Sequence, residues 1–376
     1  MKTLTLFLIL SGFSFGQQTI YDTITHDGLE RAFILYVPAN YTAGNPVPLV
    51  LNFHGYTSNS QEQMFYGDFR PIADTAGFIL VHPMGTLDES NEPYWNSGWG
   101  GTVDDIGFAA ALIDSISASY SINQSRVFST GMSNGGFMSY TLACSLSNRI
   151  AAIASVTGTM NVNQSLTCNA QHPMPVMEIH GTLDPTVPYN GNTWAASIPN
   201  VLNYWANFNQ CTIPPQFTAV PNISTTDGCT AEHYLYSTGI NGVDVEHYKI
   251  IGGAHTWPGA PIATGVTNYD ISASKKIWQF FLKYDLNGKI AYNSIDELSK
   301  VDLIISPNPG SILIEIIGID ENSKNGKINI YSSSGQLVKI IDSYFDTIDI
   351  SDLEKGIYFL TVFSNSSSST LRFVKE

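Results

Sequence analysis

The stretch RVFSTGMSNGGFMSYTLAC, residues 126 to 144, holds a short apolar run, a turn and a helix-like run in succession. RVFSTG (Arg126 to Gly131) reads as a strand ended by glycine, and GGFMSYTLACSL as the helix that leaves it. Between them Gly131, Ser133 and Gly135 spell G-x-S-x-G. In a chain with 31 glycines that pattern is weak by itself. Its context makes it specific, because a strand running into the motif and a helix running out is what a strained nucleophile elbow requires. Gly131 and Gly135 suit a turn in which strand and helix approach closely.

Working outward, the chain from about Gln17 to Leu286 alternates strand-like and helix-like segments. RAFILYVP (Arg31 to Pro38), VPLVLNFHG (Val47 to Gly55) and GFILVHP (Gly77 to Pro83) are apolar strands stopped by Pro or Gly. DDIGFAAALIDSI reads as a helix capped by Asp104 or Asp105, with Ala109, Leu112, Ile113 and Ile116 on one face. IAAIASVTG, PVMEIHG and HYKIIGG are further strands, and a last helix capped by Asp270 carries Ile277, Phe281 and Tyr284. Near-continuous apolar strands alternating with helices predict an α/β domain, residues 17–286, with a mostly parallel sheet covered on both faces. In such sheets chemistry gathers at the carboxyl ends of the strands. His54, Ser133, Asp184 and His255 each follow a predicted strand.

A serine hydroxyl needs a base, and the base needs a carboxylate to orient it and stabilise its charge. Of eight histidines, His255 lies in the glycine-rich loop after IIGGA, downstream of all the others. His82 and His180 end apolar strands and read as structural; His54 ends an early strand, where an oxyanion loop would start. Asp184, in HGTLDPTVPY, follows a strand and precedes a proline. Asp104 and Asp105 precede the serine and are covered by helix capping, and Asp244 is the weaker rival. Ser133, Asp184 and His255 thus form the candidate triad, in the chain order that α/β-hydrolases use. The candidate oxyanion donors are the backbone N–H groups of Asn134 and of Tyr56 in HGYTSN. Trp257, two residues past His255, is expected at the cleft mouth. Trp95 and Trp99, in YWNSGWGG, are candidates to stack on a sugar or phenolic ring.

The ends of the chain differ from its middle. Lys2, the apolar run LTLFLIL and the small residues of SFG read as an export signal over residues 1–16. Export would place Cys144, Cys168, Cys211 and Cys229 in an oxidising compartment; three pairings are possible, and the sequential one is favoured because both loops close locally. Residues 287–300 are polar and read as a linker. Residues 301–376 show short alternating β-branched strands with Gly and Pro turns, predicting a small all-β sandwich without His or Cys.

LVLNFHG, WN, VDDIGF, RVFSTGMSNGGFMSYTLAC, HGTLDPTVPY and GGAHTWPG together resemble secreted esterases of the polyhydroxybutyrate depolymerase, feruloyl esterase and acetylxylan esterase family. The resemblance covers about residues 20 to 285. It implies an α/β-hydrolase fold with Ser133, Asp184 and His255 at the triad positions, and cysteines like Cys144 and Cys168 around the elbow helix. SPNPGSILIEI, INIYSSSGQLVK, ISDLEKGIYFLTV and RFVKE resemble the C-terminal sorting domain of the type IX secretion system. That resemblance implies the secretion machinery as a partner of residues 301–376, and a secreted or cell-surface location.

The expected function is hydrolysis of feruloyl or acetyl esters on polysaccharide. The rivals are a short-chain polyester depolymerase with the same mechanism and a catalytically silent carbohydrate-binding module. A net charge of −15 argues against nucleic acid as a partner. No run spans a bilayer, and no metal or cofactor motif appears, so neither membrane insertion nor a cofactor is expected.

Overall fold

A computed structural model of the protein describes residues 16–290 and, beyond them, 304–306, 308–317, 327–333, 335–341, 347–363 and 368–376. Residues 1–15 of the expected export signal and residues 291–300 of the expected linker lie outside the described residues. The chain divides into two compact units, residues 1–290 and 291–376.

The first unit is built on a ten-stranded sheet. Its strands are β1 (Gln18–His26), β2 (Leu29–Val37), β3 (Val47–Phe53), β4 (Ile79–Pro83), β5 (Ile122–Met132), β6 (Ala152–Val156), β7 (Val176–Gly181), β8 (Gln216–Ala219), β9 (Thr230–Tyr236) and β10 (Val245–Ile251). Their spatial order is β1-β2-β4-β3-β5-β6-β7-β10-β9-β8. The six strands from β4 to β10 pair in parallel, and antiparallel pairs close both edges. Strands β4, β6 and β7 are buried along their whole length, which is why they read as unbroken apolar runs. The half-exposed edge strand β1 alternates instead.

Helices α1 (Ser60–Tyr66), α2 (Arg70–Ala76), α3 (Asp105–Ser119), α4 (Asn134–Ser145), α5 (Ile198–Phe208) and α6 (Ala273–Phe281) flank the sheet. Two apolar clusters result. One holds Leu49, Leu51, Phe108, Leu112 and Trp205; the other holds Val50, Phe128, Ile179, Trp257 and Phe281. Alternate residues of β3 thus point to opposite clusters, as the pleat dictates. Asp104 caps α3, accepting from the Gly107 N–H at 2.8 Å. The cap of α6 is Ser272, not Asp270. Asp270 accepts instead from the Ile223 and Ser224 N–H groups at 2.8 and 2.9 Å, because a short carboxylate there reaches the neighbouring loop.

One of the two expected disulfides forms, Cys144–Cys168, tying the end of α4 to the turn at Gln164–Thr167. Cys211 and Cys229 are buried free thiols, and the second bridge is corrected. Cys229 directly precedes β9, whereas Cys211 adjoins Thr212, whose N–H bonds the Ser237 carbonyl just past the other end of that strand. A strand of that length separates them by roughly 20 Å, far beyond the ~7 Å Cα limit of a disulfide.

The second unit contains a three-stranded and a four-stranded antiparallel sheet. Ile314, Ile316, Ile328, Ile330, Leu360 and Phe373 form its core.

Candidate active site

Ser133 stands between the last residue of β5 and the first of α4 with φ 53° and ψ −119°, a strained conformation for a side-chain-bearing residue. The flanking glycines make it possible. A Cβ on Gly131 would meet the Phe53 carbonyl oxygen at 2.6 Å, and one on Gly135 would overlap that same oxygen. Only without these side chains can α4 settle against β3 and β5.

Three strand ends lie together at the carboxyl end of the sheet. Asp184 follows β7 and His255 follows its neighbour β10; Ser133 follows β5, two strands away. The Leu183 N–H bonds the Gly253 carbonyl at 3.0 Å, fastening the two loops together. His255 Nδ1 lies 2.7 Å from Asp184 Oδ2. The carboxylate can only accept, so this nitrogen carries the proton and Nε2 is left free as a base. Asp184 Oδ1 accepts from the N–H groups of Thr186 and Val187 at 2.8 and 2.9 Å, which orients the carboxylate. Ser133 Oγ has no hydrogen-bond partner among the described residues. The serine–imidazole link is the one the structure leaves open, and such bonds commonly tighten only with substrate in place.

The carboxylate is buttressed from beneath. His180 is wholly buried, with Nε2 at 2.8 Å from the Val187 carbonyl and 3.4 Å from Asp184 Oδ2. Its Nδ1 lies 3.0 Å from Glu178 Oε1, and Glu178 Oε2 accepts from Tyr140 Oη at 2.8 Å. Both ring nitrogens therefore face oxygen acceptors. Burial pulls the imidazole down, but the hydrogen bonds and charges of Asp184 and Glu178 outweigh it and hold His180 at about 9. Burial would likewise raise Asp184, yet the hydrogen bonds from His180 and His255 keep it well below the usual carboxylate range.

The other side of the serine is organised without charge. His54 is buried, its Nδ1 2.7 Å from the Gly55 carbonyl and its Nε2 accepting from the Gly85 N–H at 2.9 Å. Burial pushes it down to about 4, so it stays neutral. The Asn134 side chain accepts from the Trp95 N–H at 2.6 Å and donates to the Trp95 carbonyl at 3.1 Å. Trp95 Nε1 donates to the His54 carbonyl at 3.0 Å. The loops bearing Tyr56 and Asn134 are thereby joined. The backbone N–H groups of both residues carry no hydrogen bond among the described residues, as donors for an oxyanion must.

Two expected substrate contacts are corrected. Trp95 has no exposed surface; it packs edge-on against Phe53 and stacks on Phe108. Trp257 is also buried, against Phe69 and Gly67, with Nε1 3.2 Å from Ser274 Oγ. A large ring next to a site residue is as readily a core residue, and here both rings fill the space beneath the loops. Trp99 does reach the surface. With Trp194, Phe137 and Ser133 it lines a cleft of about 640 Å³, Asp88 and Glu89 adding acidic groups. Its ring centroid lies 5.0 Å from that of Phe137 and 6.3 Å from that of Trp194.

Sequence reasoning missed the buried Arg31–Asp105 pair, 2.6 Å apart, and the 2.7 Å bond from the Asn96 N–H to Asp105. These hold the loop between Trp95 and α3. The signal lay in the acidic pair Asp104-Asp105, where one carboxylate suffices for the cap. Among the described residues no group of three or more His, Cys, Asp or Glu is placed to hold a metal, and no helix is long and apolar enough to cross a membrane.

Comparison with known proteins agrees with this architecture. Residues 101–210 match the Phospholipase/Carboxylesterase family, and residues 305–376 match the secretion system C-terminal sorting domain. A bifunctional acetylxylan esterase/xylanase of Neocallimastix patriciarum is 27% identical over 274 residues, covering 73% of this chain and 36% of the relative. A probable feruloyl esterase C of Aspergillus flavus is 30% identical over 191 residues, covering 48% of this chain and 65% of the relative. The chain thus spans less than two thirds of the length of either. A solved acetyl xylan esterase from Aspergillus awamori superposes with TM-score 0.52 at 17% identity, over 70% of this chain and 98% of that one, which establishes the shared fold. Both resemblances drawn from the motifs are borne out. The fold is an α/β-hydrolase with an added small antiparallel unit, and the sorting domain implies secretion or display at the cell surface.

Proposed function

We propose that this chain is a secreted serine carboxylesterase that removes feruloyl- or acetyl-type substituents from polysaccharide through an acyl-enzyme on Ser133. The observation that carries the proposal is the 2.7 Å hydrogen bond from His255 to Asp184 at the sheet edge where Ser133 occupies its strained elbow. In the proposed cycle Ser133 Oγ attacks the ester carbonyl while His255 Nε2 takes its proton. Asp184 stabilises the imidazolium, and the Tyr56 and Asn134 N–H groups receive the oxyanion, each such donor contributing about 3 kcal/mol. His255 then protonates the departing sugar oxygen, and water, deprotonated by the same imidazole, attacks the acyl-enzyme; the acid leaves as the imidazole returns that proton to Ser133 Oγ.

Esterase names among the relatives and the aromatic cleft beside Ser133 support the ester class. A substrate panel tests it: methyl ferulate and acetylated xylan against polyhydroxybutyrate and its oligomers. Turnover of the first pair is expected. Turnover of the hydroxybutyrate substrates alone would replace this reading with a polyester depolymerase.

A further inference from the structure

A second cavity, of about 490 Å³, adjoins the cleft at Ser133 and shares Asn96, Gly100 and Gly101 with it as a common wall. The two are chemically unlike. The cleft at Ser133 presents Trp99, Trp194 and Phe137 and two carboxylates. The second has no aromatic ring and no charged side chain in its lining; its polar groups are amides and hydroxyls, with Asn161, Asn163, Gln164, Ser145 and Thr167 among them.

These amides are already oriented. Asn96 Nδ2 donates to the Gly101 and Val103 carbonyls, both at 2.9 Å. Asn161 Nδ2 donates to the Ser97 and Gly98 carbonyls, and Gln164 Nε2 to Thr141 Oγ1 at 3.0 Å. The side-chain donors of Asn96 and Asn161 are thus turned inward to the loop, while their side-chain oxygens (Oδ1) accept nothing among the described residues. Asn163, Ser145 and Thr167 stand exposed around them. Cys144 contributes to the wall, and its bond to Cys168 fixes the adjoining turn. A preformed concavity of uncharged groups with spare acceptors selects a ligand rich in hydroxyl donors. A polyester offers only carbonyl acceptors and would leave these oxygens unpaired on desolvation. An anionic polymer would find no cation in either cavity.

We propose that this second cavity is the docking subsite for the neutral glycan chain on the alcohol side of the scissile ester, the aromatic cleft taking the acyl side. The assignment rests on the esterase reading for its orientation but not for its ligand. Binding of xylohexaose to the full chain, measured by titration calorimetry, reads the subsite without catalysis. Asn163→Ala/Thr167→Val, which removes exposed polar groups, and Ser145→Trp, which fills the cavity from its exposed edge, are expected to weaken binding at least fivefold. The same variants should lower the ratio of kcat/KM on acetylated xylo-oligosaccharide to that on p-nitrophenyl acetate at least fivefold, through KM. Absence of xylohexaose binding to the wild type, or equal binding by all three proteins, would overturn the subsite. Glycan binding that depends on these residues without hydrolysis of any ester would instead sink the esterase reading and leave the subsite standing.

Discussion

The two sides of Ser133 are built on opposite principles. Toward β7 and β10 lies a chain of ionisable groups, Tyr140, Glu178, His180 and Asp184 buried and His255 half-buried, each hydrogen-bonded to the next or sharing an oxygen with it. Toward β3 and the Trp95 loop, His54, Asn134 and Trp95 are neutral and bonded to backbone. The difference fits the roles proposed for the two sides. A base that gains a proton needs a permanent counter-charge, and burying that charge requires further partners. An oxyanion site needs bare N–H groups, which a nearby carboxylate would occupy. Charge and stability are therefore coupled on the first side, while the second is held together by neutral hydrogen bonds.

The largest effect expected from this contrast is on rate. Ser133→Ala should reduce ester hydrolysis by at least ~10⁴-fold while leaving the denaturation midpoint in place, since Ser133 Oγ holds no bond. Unchanged turnover of p-nitrophenyl acetate would remove Ser133 from the nucleophile's role. Asp184→Asn should cost a similar factor in rate and also lower stability, because His180 loses one of its two carboxylate partners.

Acidification should act next most strongly, on neutral histidines of both regions. His54 is depressed to about 4, and His82 and His247 to about 3, each chiefly by burial. A depressed imidazole stabilises the fold fully above the unfolded value of ~6.5, and that contribution disappears as pH falls toward the folded value. At about 3–5 kcal/mol each, their sum is comparable with a total stability of ~5–15 kcal/mol. Circular dichroism is expected to show unfolding between about pH 6.5 and 3. His180 has the opposite sign: held at about 9, it stabilises below the unfolded value of ~6.5 and loses that contribution as pH rises through 9. Constant stability from pH 7 to pH 3 would contradict the neutral, buried assignment.

A narrower effect is confined to the charged side. His180→Leu should destabilise by about 3–5 kcal/mol in urea, the cost of leaving Glu178 and Asp184 without their shared cation. A midpoint within experimental error of wild type would show that the network carries no net charge there.

The smallest effect belongs to the neutral side. Ser133→Gly should raise stability by about 1 kcal/mol, because glycine relieves the φ 53° strain. No gain would mean that the elbow is not strained.

Much of the candidate site's placement was legible in advance because it follows from residue type and chain order. Ser133, Asp184 and His255 are rare polar residues after apolar runs, and a sheet of parallel strands brings such positions to one edge. The edge strand β1 and the short helices α1 and α2 escaped notice because few of their inward positions carry apolar side chains. Trp95 and Trp257 were misplaced because a tryptophan beside a site serves core and surface equally well, and only packing distinguishes the two. His180 read as structural, which its burial supports. Its second carboxylate partner, Glu178, stands two residues earlier on the same face of β7, a proximity that the strand's two-residue period already implies.

Periodicity and residue order, which are local, determined by themselves the succession of strands, the elbow at Ser133 and the candidates Asp184 and His255. Contacts between distant strands decided the rest. They set Cys144 against Cys168 while β9 holds Cys211 and Cys229 apart. They sank Trp95 and left Trp99 exposed, and they aligned uncharged amides into a second cavity beside the cleft. A side chain's burial and partner are properties of the space between elements, and that space exists only once the sheet has formed.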